Sequence, residues 1–311
     1  MLRQVILKTA ASRRARRAIE ATPLTRAVVD RFVAGENVPS AVRASEGLHD
    51  AGCLATLDYL GEDTTDRAHA AHVTGQYVAL LDGLADAGLT GMAEVSIKLS
   101  ALGQALPREG EAVALDNAAR ICAAAARAGT TVTVDMEDHT TTDSTLGIVA
   151  QLRRDFPETG AVIQAYLRRS EGDCRDLATA GSRVRLCKGA YREPASVAYQ
   201  ARAEVTQAYL RCAEILMAGP GYPMLATHDP ELIVAGTRLA AGRPEGVTGY
   251  EFQMLYGIRP TEQRRLAEAG HQVRVYVPFG EEWYGYLMRR LAERPANLMF
   301  FFRALTRSNA V

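Results

Sequence analysis

Val95-Ser96-Ile97-Lys98-Leu99 and Val184-Arg185-Leu186-Cys187-Lys188-Gly189 read as one design used twice, a short apolar run closed by a lysine. The lysines are conspicuous because only Lys8, Lys98 and Lys188 occur among 36 basic residues, the other 33 being arginine. A compact ammonium donates as a point charge and shifts its pKa on burial, which a fork-shaped guanidinium does not. Polar chemistry at the end of an apolar strand is where an α/β barrel enzyme keeps its active site.

The same rhythm repeats along the chain. Short apolar runs lie at about 54–59, 93–99, 130–136, 160–166, 182–188, 222–227, 248–254 and 272–276. Longer amphipathic stretches separate them, among them 66–88, 112–127, 143–154, 194–217, 230–241 and 261–269. Strand then helix, repeated eight times with turn residues between, predicts parallel strands joined by right-handed crossovers. Eight such units in roughly 250 residues is the size of a (β/α)8 barrel. Residues 1–46 are expected to form an N-terminal helical arm, with Thr22-Pro23 as a helix start and Gly35-Glu36-Asn37 as a stop. A closing helix is predicted over 281–293, ahead of an apolar tail from Asn297 to Leu305. The expected fold class is α/β, a (β/α)8 barrel over 47–311 with N-terminal helices and a C-terminal closing helix.

Composition narrows the function classes. Acids and bases balance at 36 each, so there is no electrostatic case for nucleic acid. Cys53, Cys122, Cys174, Cys187 and Cys212 are odd in number, scattered and without a CxxC pair, which fits a reducing cytoplasm better than a disulfide framework or zinc finger. No apolar run reaches the roughly 18 residues of a membrane-spanning helix. Arg13, Arg14, Arg16 and Arg17 cluster near the N-terminus without the apolar core of a secretory signal. The cluster reads first as a solvated helix start; a transit peptide or a peripheral contact on the inner face of the cell membrane stays open.

Strand ends carry Asp58, Lys98, Asp135, Gln164, Arg185 with Lys188, Thr227-His228, Gln253 and Tyr276, a distribution expected of a catalytic barrel. Asp135-Met136-Glu137-Asp138-His139 is dense in acids, and Asp135 is placed to pair with Lys98. A metal is the rival there, but no HxH or HExxH spacing supports it. Asp229 and Pro230 read as N-cap and first residue of a helix, leaving Thr227 and His228 beside backbone N–H groups able to meet phosphate. Lys188-Gly189 lets a ligand approach the backbone closely. His49, His69, His72 and His271 have no constellation and read as surface residues. No GxGxxG or GxxxxGK[ST] motif supports a Rossmann site or a P-loop. In the closing helix Tyr286, Arg289, Arg290 and Glu293 share one face, so two guanidiniums there can grip a carboxylate. Taken alone, that face reads first as solvated, with ion pairs worth about 0.2–0.5 kcal/mol each.

Together these segments resemble the proline dehydrogenase family, from roughly residue 25 to 305. The motifs that carry the resemblance are Ser96-Ile-Lys98-Leu-Ser100, Val134-Asp135-Met136-Glu-Asp138, Ile163-Gln164-Ala-Tyr166, Arg185-Leu-Cys-Lys188-Gly189-Ala190-Tyr191-Arg-Glu-Pro194, Ala226-Thr227-His228-Asp229, Glu251-Phe-Gln-Met-Leu255-Tyr-Gly257, Val275-Tyr276-Val-Pro-Phe-Gly280 and Tyr286-Leu-Met-Arg289-Arg290-Leu-Ala-Glu293. The resemblance implies a distorted (β/α)8 barrel that binds FAD, oxidises L-proline to Δ1-pyrroline-5-carboxylate and passes electrons to a membrane quinone. It assigns Asp135 and Arg185 as catalytic, with Arg185 near flavin N5. Lys98, Arg289 and Arg290 would hold the proline carboxylate, Glu293 would orient the arginines, and Leu255, Tyr276 and Tyr286 would pack round the ring. Met136, Gln164, Arg185, Lys188, Gly189, Ala190, Thr227 and His228 match flavin contacts. Cys187 stands where relatives often carry valine. Without the resemblance, a Schiff-base lyase using Lys98 or Lys188, a metal-dependent hydrolase using Asp135, Asp138, His139 and His228, and a non-catalytic flavin or amino-acid binder all remain open.

Overall fold

The computed structural model describes residues 29–243 and 249–293, with side chains as far as Met288. Eight parallel strands close into a barrel in sequence order, each hydrogen-bonded to its neighbours and the last to the first. The chain enters through helix α1 (Val38–Asp50), whose N-cap Asn37 accepts the backbone N–H of Ser40. Gly35, at φ 103°, makes the preceding break in a conformation only glycine adopts freely. The barrel then runs β1 (Leu54–Tyr59), α2 (Arg67–Asp86), β2 (Ala93–Ile97), α3 (Gly110–Ala128), β3 (Val132–Val134) and α4 (Thr142–Asp155). It continues with β4 (Gly160–Gln164), α5 (Ser170–Leu177), β5 (Arg183–Cys187), α6 (Arg202–Ala218), β6 (Tyr222–Ala226) and α7 (Pro230–Ala240). Strand β7 (Glu251–Leu255), α8 (Pro260–Glu268), β8 (Val273–Phe279) and α9 (Trp283–Glu293) complete it.

The strands are built on two alternating sets of residues. One set, including Leu57, Val95, Ile97, Val134, Ile163, Leu186, Phe252, Val275 and Val277, joins helix residues such as Leu80, Leu81 and Ile121 in the main apolar core. The other set, apart from Val162 and Met224, is largely polar and hydrogen-bonded across the barrel interior, with Glu94, Ser96, Asp135, Arg185, Glu251 and Arg274 among its members. The interior is therefore a charged plug rather than the layers of branched apolar side chains usual for the fold.

Three local expectations need correction. The segment 194–201 is not helical; Ala198 pairs with Leu167 in an antiparallel bridge, and α6 starts only at Arg202. Helix α5 carries no apolar stripe, which hid it: its buried residues are Ser170 and Cys174. His271 is half-buried rather than on the surface, with Nδ1 3.0 Å from the Tyr250 hydroxyl and its ring edge-on to Phe252. Helix α1 runs continuously through residue 46, where the sequence reading divides the chain. Among the described residues, no helix is long and apolar enough to cross a membrane.

Candidate active site

Parallel register brings the ends of β1, β2, β3, β5 and β8 to one mouth, and their polar side chains form a single hydrogen-bonded row. Lys98 Nζ donates to Asp58 Oδ2 at 2.6 Å and lies 3.5 Å from the Tyr276 hydroxyl. Tyr276 donates to Asp135 Oδ2 at 2.7 Å. Asp135 Oδ1 accepts from Arg185 Nη1 at 2.6 Å, and Arg185 Nη2 donates to Ser96 Oγ at 2.8 Å. The guanidinium also stacks 5.3 Å from the Tyr276 ring centroid.

The expected Asp135–Lys98 pair is thus not the one formed. Both oxygens of Asp135 are taken by Arg185 and Tyr276, so the ammonium turns to Asp58 on the neighbouring strand. Burial disfavours the Lys98 charge, but Asp58 and then Asp135 more than compensate and raise its pKa. Burial raises the Asp58 carboxyl despite the opposing pull of Lys98. Burial, Asp135 and Asp58 together push the Tyr276 phenol well above its ordinary value, so it stays a donor.

A second group of predicted residues lines the ends of β4, β5 and β6. Gln164 donates to the carbonyl of Glu137 at 2.6 Å, tying β4 to the loop that carries the buried Met136. Lys188 Nζ meets Asp229 Oδ2 at 2.9 Å and Thr206 Oγ1 at 3.1 Å. Asp229 does cap α7, accepting from Glu231, with Pro230 in its first turn. Thr227 Oγ1 accepts from the Asp229 N–H. His228 Nε2 accepts from the Leu255 N–H at 2.9 Å, which links the loop after β6 to the end of β7. Burial lifts the Cys187 thiol to about 11, so it stays neutral.

Gly189 sits at φ 107°, and a Cβ there would overlap the Tyr166 ring. Gly189→Ala is therefore expected to cost about 1–3 kcal/mol through backbone strain alone. A lowered melting temperature checks this; an unchanged one would mean the loop relaxes at no cost. Ala190 follows it, exposed at the rim.

Sequence reasoning missed three further groups. Beneath the mouth, Glu94 meets Arg183 at 2.5 Å and Arg274 at 3.8 Å, and Arg274 meets Glu251 at 2.8 Å. Their signal was present as polar residues at every second strand position. Beside the mouth, Glu193 holds the loops after β3, β4 and β5 together. Its carboxylate accepts the His139 N–H at 2.9 Å, contacts His139 Nδ1, and takes the Tyr166 hydroxyl at 3.4 Å. Nothing in the sequence spacing announces that junction. Tyr77, on α2, is the third: its hydroxyl lies 3.3 Å from Asp58 Oδ1 and donates to the Ser96 carbonyl at 2.7 Å.

Tyr286 is buried in a cluster with Phe32, Val33, Leu60 and Trp283. Arg289, Arg290 and Glu293 continue the same helix, but their side chains lie outside the described residues. Among the described residues, no three His, Cys, Asp or Glu side chains are grouped to hold a metal ion.

Comparison with known proteins gives this mouth its context. The family model described as proline dehydrogenase matches residues 41–303. The chain is 37% identical to proline dehydrogenase 1 of Bacillus subtilis over 281 residues, covering 90% of this chain and 91% of that one. It is 40% identical to a proline dehydrogenase of Deinococcus radiodurans over 280 residues, 89% and 90% of the two chains. Among solved structures, proline utilization A from Bdellovibrio bacteriovorus inactivated by N-propargylglycine superposes with a TM-score of 0.79 at 26% identity. That match covers 86% of this chain and 33% of the other. With a family match over residues 41–303 and relatives 37–40% identical across about nine tenths of both chains, the chain belongs to the proline dehydrogenase family.

Proposed function

We propose that this chain oxidises L-proline to Δ1-pyrroline-5-carboxylate using FAD, with a membrane quinone as the final electron acceptor. The observation that carries the reading is the row Lys98–Tyr276–Asp135–Arg185 across the mouth of a barrel of this family. FAD, when bound, supplies the acceptor for the hydride that leaves the proline ring.

The residues present fit that group. Arg185 Nε is buried without a hydrogen-bond partner, as expected of a donor reserved for a ligand. Gly189, at φ 107° against the Tyr166 ring, lets the loop after β5 turn at the mouth, and Lys188, held by Asp229, places an ammonium there suited to a phosphate. Met136, Gln164, Arg185, Lys188, Gly189, Ala190, Thr227 and His228 would hold the cofactor. Lys98, Arg289 and Arg290 would bind the substrate carboxylate, with Glu293 orienting the arginines. Leu255, Tyr276 and Tyr286 would exclude water from the ring. Asp135 would hold the Arg185 guanidinium at the reacting atoms, so that positioning does most of the catalytic work. A Schiff-base reaction at Lys98 is disfavoured by the same geometry, because such a lysine needs a lowered pKa and the pair with Asp58 raises it. The arginines at 13–17, which lie outside the described residues, would make a peripheral contact with the inner face of the membrane.

The decisive measurement is the absorption spectrum of the purified protein. A yellow preparation whose flavin band bleaches when L-proline is added anaerobically bears the proposal out. A colourless protein that retains no flavin even when FAD is supplied in excess sinks it. For the carboxylate site, Arg290→Met is expected to raise KM for proline by about tenfold or more while flavin stays bound, since deleting one charged partner costs about 2–5 kcal/mol. An unchanged KM in that variant removes Arg290 from the site.

A further inference from the structure

Asp58 is not among the residues assigned above, yet it is the direct partner of Lys98. Its side chain is 1% exposed, and that of Lys98 is 12% exposed. Asp58 Oδ2 takes the ammonium at 2.6 Å. The other oxygen lies 3.3 Å from the Tyr77 hydroxyl, whose single proton is better placed on the Ser96 carbonyl at 2.7 Å. Asp58 therefore leans on Lys98. The dependence is mutual, because Asp135 has both oxygens occupied by Arg185 and Tyr276. An ammonium has three donors. One goes to Asp58, one has only the long Tyr276 contact, and capacity is left over for an anion.

We propose that Asp58 is the positioning residue of the carboxylate site: it fixes the Lys98 ammonium so that its spare N–H groups receive the carboxylate of a cyclic amino acid. This rests on the reading that Lys98 meets the substrate carboxylate. Without Asp58 the long, flexible lysine stem loses its anchor, and the ordering cost falls on the binding step.

The test is a double-mutant cycle on the FAD-loaded protein with Asp58→Ala, Lys98→Met and the pair combined. The probe is cyclopentanecarboxylate, a five-membered ring carboxylate with no amine, titrated by its perturbation of the flavin spectrum. Asp58→Ala is expected to raise the probe Kd and the proline KM by about tenfold, or ~1.4 kcal/mol, with a smaller change in kcat. In the Lys98→Met background the same change should have almost no effect, which a general structural role would not reproduce. Asp58→Asn keeps an acceptor for the ammonium and should fall between wild type and alanine. Melting temperature and flavin content report on folding, and the Asp58→Asn/Lys98→Met pair strands no buried charge. If Lys98→Met binds the probe like wild type, the carboxylate reading falls and this inference with it. If Lys98→Met weakens binding and Asp58→Ala does not, or Asp58→Ala costs the same factor with and without Lys98, the positioning role alone is overturned.

Discussion

Replacing Arg185 with methionine is expected to slow proline-dependent bleaching of the flavin by about 100-fold or more, with a far smaller change in proline affinity. The side chain is 5% exposed and its two Nη groups are committed to Asp135 and Ser96, so the charge is fixed before any ligand arrives. A preorganised charge in a site closed to water acts where charge develops and needs no reorganisation during the step. Methionine keeps the apolar stem and removes both the charge and the donors. It also strands the Asp135 carboxylate, which keeps only the Tyr276 hydroxyl, and a stranded buried charge costs about 3–5 kcal/mol. Combining Arg185→Met with Asp135→Asn separates the two effects. The melting temperature should recover in the double variant while the bleaching rate stays low. A single variant bleaching within about threefold of wild type would remove Arg185 from the chemistry.

How much of this was legible beforehand depends on which physical signal each residue carries. The eight strands were readable because their outward residues, such as Val95, Ile97, Val275 and Val277, are β-branched and bounded by turns. Helix α5 was not, since a helix whose buried side chains are Ser170 and Cys174 has no apolar period to find. The stretch around Val197 and Ala198 has helical composition but stops at a single turn closed on the Pro194 carbonyl, held there by the bridge to Leu167, a tertiary contact that overrides propensity. At the mouth, residue types and strand ends were legible while partners were not. Lys98 was singled out, but a one-dimensional reading set it against Asp135, the more acid-dense neighbour. In the barrel β2 lies between β1 and β3, and Asp58 on β1 takes the ammonium because Arg185 and Tyr276 occupy both oxygens of Asp135. Closure of the barrel explains why Tyr276 reaches Asp135 across 141 positions, a meeting that no spacing rule contains. The charged plug was overlooked for a different reason. Glu94-x-Ser96-x-Lys98, Arg183-x-Arg185 and Arg274-x-Tyr276 alternate with period two, and only the last member of each run stands at a strand end where polar chemistry is expected.

That plug carries the largest expected stability effect. Glu94→Gln should destabilise the fold by about 3–5 kcal/mol at neutral pH, because it takes from Arg183 its carboxylate partner and from Arg274 and Arg185 part of their counter-charge. Glu94 is 2% exposed and lies within 2.5 Å of Arg183, 3.8 Å of Arg274 and 3.9 Å of Arg185. Thr131 and Thr133 donate their hydroxyls to the same carboxylate. Burial alone would push the carboxyl up, but Arg274, Arg183 and Arg185 outweigh it and hold it down at about 2. A depressed folded-state pKa means that the stabilisation is complete above the ordinary glutamate value of 4.5 and disappears as pH falls from there to about 2. Wild type should therefore lose stability steeply in that window, and the glutamine variant should lack that component. Denaturation midpoints measured from neutral pH downward should show a gap that narrows below about pH 4.5. Equal midpoints at neutral pH would show that the arginines do not depend on Glu94. Adding Arg183→Met to Glu94→Gln should recover part of the loss, because Arg183 has its ion pair with Glu94 whereas Arg274 keeps Glu251, and the damage comes from a stranded cation and not from a missing attraction.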